Sequence, residues 1–353
     1  MNKVKNIGVI DLFCGIGGLS NGFVSEGFNV ISGFDNDESC KYAFEANNNS
    51  TFITQDIKEL KGTVLNELYK NSFKILVGCA PCQPFSSYSF KHKETDENKW
   101  GLLYSFTRLI AEAKPTIVSM ENVPQLLHFK KAPVFDDFCN KLIKLGYFVS
   151  YQEVYCPDYG IPQRRKRLVL LASKLGEIQL IPATHKPENY ITVRQTIEGL
   201  PKLKAGQTDK NDMLHKARSL TPINLERIKA TKEGGGWKDW PYHLRLKCHK
   251  KKSGKSYGSV YGRMQWDDVA PTMTTHCTGL GNGRFGHPEQ NRAITLREAS
   301  LFQTFPSDYK FFEKDVNYSQ SLISRHIGNA VPPQLGKIIA KSIKHHLSNH
   351  KII

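Results

Sequence analysis

The stretch Gly78-Cys79-Ala80-Pro81-Cys82-Gln83-Pro84-Phe85-Ser86 sets a thiol between two prolines, which fix the backbone and hold the sulfur in one direction. A cysteine mounted in this way can add to an electron-poor carbon and leave again, so Cys82 is a candidate nucleophile. The plainer reading of a free cysteine is a small buried hydrophobe, and this stretch alone leaves both open. Three carboxylates stand in comparable places. Asp35, Asp56 and Glu121, like Cys82, each follow a short apolar run with the length of a strand.

Those runs are the elements that must position the chemistry. Strands are expected over 7–13, 29–34, 52–54, 73–77 and 116–120. If they form one parallel sheet, each delivers a polar group to the same carboxyl edge, where open α/β sheets collect their ligands. Any one carboxylate has an ordinary role as a helix cap or surface charge; four aligned strand ends point to a site. Gly15-Ile16-Gly17-Gly18 follows the first strand and precedes helical spacing over 19–28, with Leu19, Phe23 and Val24 on one face. Glycines in such a turn admit a ligand that a Cβ would block. Asp35 lies at roughly the distance from this turn at which nucleotide-binding folds set a carboxylate on ribose hydroxyls, which suggests a ribose-bearing cofactor. It also suits an N-cap ahead of Asn36-Asp37-Glu38.

Further along, 102–113 reads as a crossover helix, 91–99 as a charged loop able to close over a substrate, 134–145 as an amphipathic helix and 147–155 as an alternating strand. Gln163-Arg164-Arg165-Lys166-Arg167 leads into a strand over 168–172; its four cations suit phosphate contacts, or an ordinary solvated basic face. Helices return over 296–302 and 333–346. Between 173 and 291 the apolar periodicity fades and aromatic and basic residues interleave, among them Trp237, Trp240, Tyr242, Arg245, Arg263 and Trp266. This is a second, loop-rich domain whose aromatics serve a groove, its own core, or both.

With 353 residues and 39% hydrophobic content the chain supports one large α/β domain and a smaller one. No apolar stretch is long enough to span a bilayer and the start lacks a signal-peptide core, so a cytoplasmic protein without a membrane partner is expected. Eight scattered cysteines argue for reduced thiols and against a zinc quartet; no metal is expected. A net charge of +16 suits a polyanionic partner, with nucleic acid the leading candidate.

Asp11-Leu12-Phe13-Cys14-Gly15-Ile16-Gly17-Gly18, Pro81-Cys82-Gln83-Pro84-Phe85-Ser86, Glu121-Asn122-Val123, Gln163-Arg164-Arg165-Lys166-Arg167, Arg297-Glu298-Ala299 with Gln303-Thr304-Phe305-Pro306, and Gly328-Asn329-Ala330-Val331 together resemble the DNA (cytosine-5) methyltransferase family of the bacterial restriction-modification type. The match runs in order and spacing along nearly the whole chain, excepting the second domain. Its specific part is the Pro-Cys-Gln and Glu-Asn-Val pair. The resemblance implies an α/β fold: a Rossmann-like, S-adenosylmethionine-dependent methyltransferase sheet with a smaller target-recognition domain. The division is then 1–173 for catalysis and cofactor, 174–291 for target recognition, and 292–353 returning to complete the cofactor site, the last helix packing on the first.

The resemblance further implies methyl transfer to carbon 5 of a cytosine in double-stranded DNA by a monomer. Cys82 attacks carbon 6 of a flipped-out base, Glu121 acts as the acid at ring nitrogen N3, and Arg165 and Arg167 lie near the flanking phosphate and the cytosine O2. On the cofactor side it sets Phe13 near the adenine, Gly15 and Gly17 where the backbone approaches, Asp35 on the ribose, Asp56 with Ile57 on the adenine edge, Asn329, Ala330 and Val331 at the methionine end, and Pro81 beside them. Asp35 and Asn36 stand where family members often carry Glu and an aromatic, so the ribose contact is shorter here. The spacing of Cys79 and Cys82 also allows a redox pair, but such pairs open a helix and lack these partners. An RNA-modifying member of the family and a silent DNA-binding regulator are the alternatives; the basic second domain favours duplex DNA over the first, and intact Cys82 and Glu121 count against the second. Arg245, Arg263 and Arg284 are the candidate base readers, or else hold loops together, and Lys250, Lys251 and Lys252 are the candidate phosphate contacts.

Overall fold

The computed structural model describes residues 6–81, 101–129, 133–251, 258–314 and 316–353. Cys82, the loop 91–99 and Lys252 lie outside the described residues. The catalytic half runs β1 (Ile7–Leu12), α1 (Gly18–Ser25), β2 (Asn29–Asp35), α2 (Lys41–Asn48), β3 (Thr51–Thr54), α3 (Gly62–Tyr69), β4 (Phe73–Gly78), α4 (Gly101–Ala113), β5 (Ile117–Asn122), α5 (Val134–Lys144), β6 (Phe148–Tyr155) and β7 (Lys166–Ser173). Then follow α6 (Val193–Ile197), α7 (Pro222–Lys229), α8 (Leu296–Phe302), α9 (Gln320–Asn329) and α10 (Pro333–Asn349), with short 3₁₀ turns between α7 and α8.

The seven strands form one sheet in the order β3-β2-β1-β4-β5-β7-β6. The first five are parallel, and β7 runs antiparallel to both β5 and β6. Burial along the full length of a strand, as in β5, is what a sheet covered on both faces produces. Alternation divides each strand between two cores: Val9, Val77, Ile117 and Leu171 pack on the α1 and α10 side, while Ile10, Leu76, Val118 and Leu170 pack with α3, α4 and α5. On the first side α1 and α10 approach so closely that a Cβ on Gly22 would lie 2.3 Å from the carbonyl carbon of Gly336. The chain's end thereby lies against its beginning, at the sheet edge where the strands terminate.

Residues 174–218 and 264–285 do not stand apart. Ile178, Val193, Ile197, Leu214, Met264, Trp266, Met273 and Phe285 join the core on the α1 side. Two small separate cores lie within the second region, one of Ile228, Leu280 and Ala293 and one of Trp237, Trp240 and Leu244, with Tyr261 packed against both. Among the described residues no helix is long and apolar enough to cross a membrane.

Candidate active site

The parallel strands bring their carboxyl ends to one edge, and a cavity of about 350 Å³ opens there. Phe13 and Gly15 line it after β1, Asp35 at the end of β2, Asp56 and Ile57 after β3, Pro81 after β4, and Asn329, Ala330 and Val331 where α9 ends. Gly17 is not in this wall. Its φ of 85° starts α1, and a Cβ there would strike the Asn48 side chain at 2.2 Å, so it serves the packing of α1 on α2.

Asp35 holds the turn together. One carboxylate oxygen accepts from the Gly15 amide at 2.9 Å and the other from the Asp37 amide at 2.9 Å. Burial raises its pKa against those two bonds. Asp11 lies beneath, fully buried; its Oδ2 accepts from the Ser20 hydroxyl at 2.7 Å, while Oδ1 has no hydrogen-bond partner among the described residues. Burial pushes the Asp11 carboxyl up to about 7, against the Ser20 bond.

Sequence reasoning does not single out Asp11, Asp37, Cys40, Arg325 or His326, which also line the cavity. Asp37 caps the turn before α2, pairs with Arg325 at 2.9 Å, and lies with Cys40 and His326 such that one donor atom from each falls within 4.8 Å of the others. These contacts fasten α9 to the β2–α2 turn. The signal available was position: Arg325 and His326 lie one helical turn before Asn329.

Glu121 ends β5 with a carboxylate that is 2% exposed. Its register partner on β7 is Val169, and Arg167, two residues away, shares its face; Arg167 Nε lies 2.7 Å from Glu121 Oε1. The other oxygen, Oε2, accepts from Cys79 Sγ at 2.7 Å. The neighbouring Asn122 donates from its side chain to the Ala80 carbonyl at 3.1 Å, tying the end of β5 to the segment that leads to Cys82.

Arg165, expected beside a phosphate, is 3% exposed and donates to the carbonyls of Met273, Gly328 and Ala330. Gln163, fully buried, donates to Phe302 O and Gln303 Oε1 and accepts from the Met273 amide; Gln303 in turn donates to Ile327 O and Ala330 O. The basic turn is thus half clamp, half surface: Arg164 and Lys166 are its exposed members.

Among the candidate base readers, Arg263 is committed to the fold. All five N–H groups of Arg263 have acceptors, the carbonyls of Thr231, His287, Gln290 and Ile228 and the Asn291 side chain. Arg284 donates to the carbonyls of Gly234, Gly235 and Arg263, and Arg245 to those of Trp240 and Lys238. Arg263 holds loops together with every donor it has, and Arg284 and Arg245 do so with part of theirs, because loops without ladder bonds leave carbonyls that need donors. By contrast Tyr242 is 69% exposed, with Lys250 Nζ 3.8 Å from its ring centre.

Residues 7–345 match the family model for C-5 cytosine-specific DNA methylases. The chain is 56% identical over 340 residues to a type II methylase, M.HgiDII, of Herpetosiphon aurantiacus, covering 96% of this chain and 95% of that one. It is 31% identical to the type II methyltransferase M.PspPI of a Psychrobacter species, over 96% of this chain and 79% of the relative. In three dimensions it resembles a prophage-encoded E. coli protein described as a DNA modification methyltransferase, with a TM-score of 0.74 at 22% identity over 97% of this chain and 99% of that one, a likeness of fold. A match that spans both ends of the sheet and the returning helices leaves one assignment: the chain belongs to the C-5 cytosine-specific DNA methylase family.

Proposed function

We propose that the protein, acting as a cytoplasmic monomer, transfers a methyl group from S-adenosylmethionine to carbon 5 of a cytosine within a specific double-stranded sequence, and so protects host DNA from a restriction endonuclease. The observation that carries the reading is the adjacency of two features: Glu121 between a fixed cation and a thiol, and a cavity whose wall includes that same thiol, Cys79.

The wall suits the cofactor chemically. Asp11 brings a buried carboxylate oxygen without a partner, matched to an ammonium group. Asp35 and Asp56 supply acceptors for hydroxyl and amine groups, and a Cβ at Gly15 would meet no protein atom within 4 Å, so the space beside that backbone is open. S-adenosylmethionine, when bound, supplies an electrophilic methyl group.

The chain's own residues make carbon 5 able to take it. The Cys82 thiolate bonds to carbon 6 of a base taken out of the stack, and the displaced electron pair moves to N3, where Glu121 supplies a proton. Carbon 5 is then nucleophilic. After methyl transfer, loss of the carbon 5 proton expels Cys82, and N3 returns its proton to Glu121, which restores the ring. Arg167 orients Glu121, and Arg165 holds the end of α9 against the basic strand.

Bisulfite sequencing of plasmid DNA from a host expressing the protein tests the reading. Protection of one cytosine in a recurring sequence is expected; uniform conversion at every cytosine would overturn it.

A further inference from the structure

Glu121 has two oxygens with different partners. Oε1 faces the Arg167 guanidinium, a permanent cation beside which this oxygen does not carry a proton to a ligand. Any proton that Glu121 exchanges with a ligand must therefore travel through Oε2, the oxygen on which the Cys79 thiol now sits at 2.7 Å. A thiol is a weak donor that a better partner displaces at little cost. Cys79 is partly buried, and it belongs to the wall of the cavity.

We propose that Cys79 is a positioning residue for methyl transfer: its thiol holds Glu121 Oε2 in place in the free enzyme and yields that oxygen to the base. The inference rests on the reading of Glu121 as the acid.

Among the described residues, the other groups facing Glu121 leave this role to Cys79. Arg167 projects from β7 and Arg165 from the turn before it; Cys156, after β6, interacts electrostatically with Glu121 and both arginines. Burial raises the Cys156 thiol to about 11, so it stays neutral. A donor on Oε2 favours the carboxylate over the acid. Because Glu121 works protonated, removing that donor is expected to extend methyl transfer to higher pH.

The test is the pH profile of single-turnover methyl transfer on a cognate duplex. In Cys79→Ala the alkaline limb should move up. In Cys79→Ser, which keeps a donor, the limb should stay at or below its wild-type position. Glu121→Gln, measured beside them, should lose the limb together with a factor on the order of 10² or more in rate. If Glu121→Gln matches wild type, the acid assignment fails. If Glu121→Gln is impaired while Cys79→Ala and Cys79→Ser lower the rate equally at every pH, Cys79 is merely structural and the inference fails. Should Cys79→Ala be too unstable to assay, a limb that moves up in Cys79→Ser would overturn the inference by itself.

Discussion

The carboxyl edge of the sheet and the loop region between α7 and α8 both bury polar side chains, but they use them in opposite ways. At the sheet edge the buried groups keep capacity in reserve: Asp11 has an oxygen with no partner, and Glu121 shares one oxygen with a thiol. In the loop region Arg263 has an acceptor for every donor it owns. A buried group with spare or weakly held capacity is prepared for a ligand, whereas a saturated one is part of the fold. Arginine among glycines and aromatics is therefore not by itself a base reader.

The comparison breaks first at Cys82. A duplex carrying 5-fluorocytosine at the target position should trap a covalent complex when cofactor is present, because fluorine cannot leave as a proton does. Cys82→Ala should abolish trapping and lower turnover on the order of 10⁴-fold or more, while Cys79→Ala should still trap. Adduct in Cys82→Ala, seen on a denaturing gel, would put the nucleophile elsewhere.

Next in size is the loop region's saturated arginine. Burial lowers the Arg263 pKa to about 10, and the cation is held by neutral acceptors, so Arg263→Ala leaves several carbonyls without donors. A loss of about 3 kcal/mol in unfolding free energy is expected, read from the denaturant midpoint. Lysine brings only three donors and should not restore it. At a temperature where the variant is folded, its preference for cognate over scrambled duplex should be unchanged; a preference that collapses would return Arg263 to base reading.

How much of this is legible in the sequence follows the same division. The strands that carry Asp35, Cys82 and Glu121 can be read because a sheet covered on both faces needs continuous apolar runs, and their ends follow within a residue or two. α2, α3 and α7, each eight residues long, have no counterpart in the sequence reading. α9 runs through Gly328 and Asn329, and Gly328 packs where a Cβ would lie 2.3 Å from the Thr274 carbonyl. The cavity wall can be read from motif and strand order, while Asp37, Cys40 and His326 meet only through the return of α9 over the sheet edge. In the loop region residue type carries little information, because the deciding fact is which carbonyls the loops leave open.

A smaller effect sharpens the sheet-edge side. With its carboxyl raised to about 7 by burial, Asp11 takes up a proton as pH falls below neutrality. A cationic ligand group binds the ionised form, so affinity for S-adenosylmethionine, measured by calorimetry between about pH 5.5 and 8.5, should weaken as pH falls through 7 and level off above it. Asp11→Asn should bind about tenfold more weakly at the upper end and lose the dependence. A pH dependence that persists in Asp11→Asn assigns the titration to another group, such as Asp35.

The smallest effect concerns what remains for DNA in the loop region once its arginines are accounted for. Lys250 is exposed and lies over the exposed Tyr242 ring, so neither its charge nor its reach is committed to the fold. A lysine in that position neutralises a phosphate, and a phosphate contact carries no sequence information. Lys250→Gln should then weaken binding to cognate and scrambled duplexes alike, by about two- to threefold at moderate salt, and reduce the dependence of log affinity on log salt by about one. Tyr242, left without its cation, gives the contrast: if it stacks on DNA, Tyr242→Ala should lower affinity while leaving the salt slope in place. Measuring both variants on both duplexes at two salt concentrations separates charge from contact. A Lys250→Gln variant that loses affinity on the cognate duplex alone would make the lysine a reader of bases, and the distinction drawn between committed arginines and uncommitted surface groups would then locate recognition in this turn.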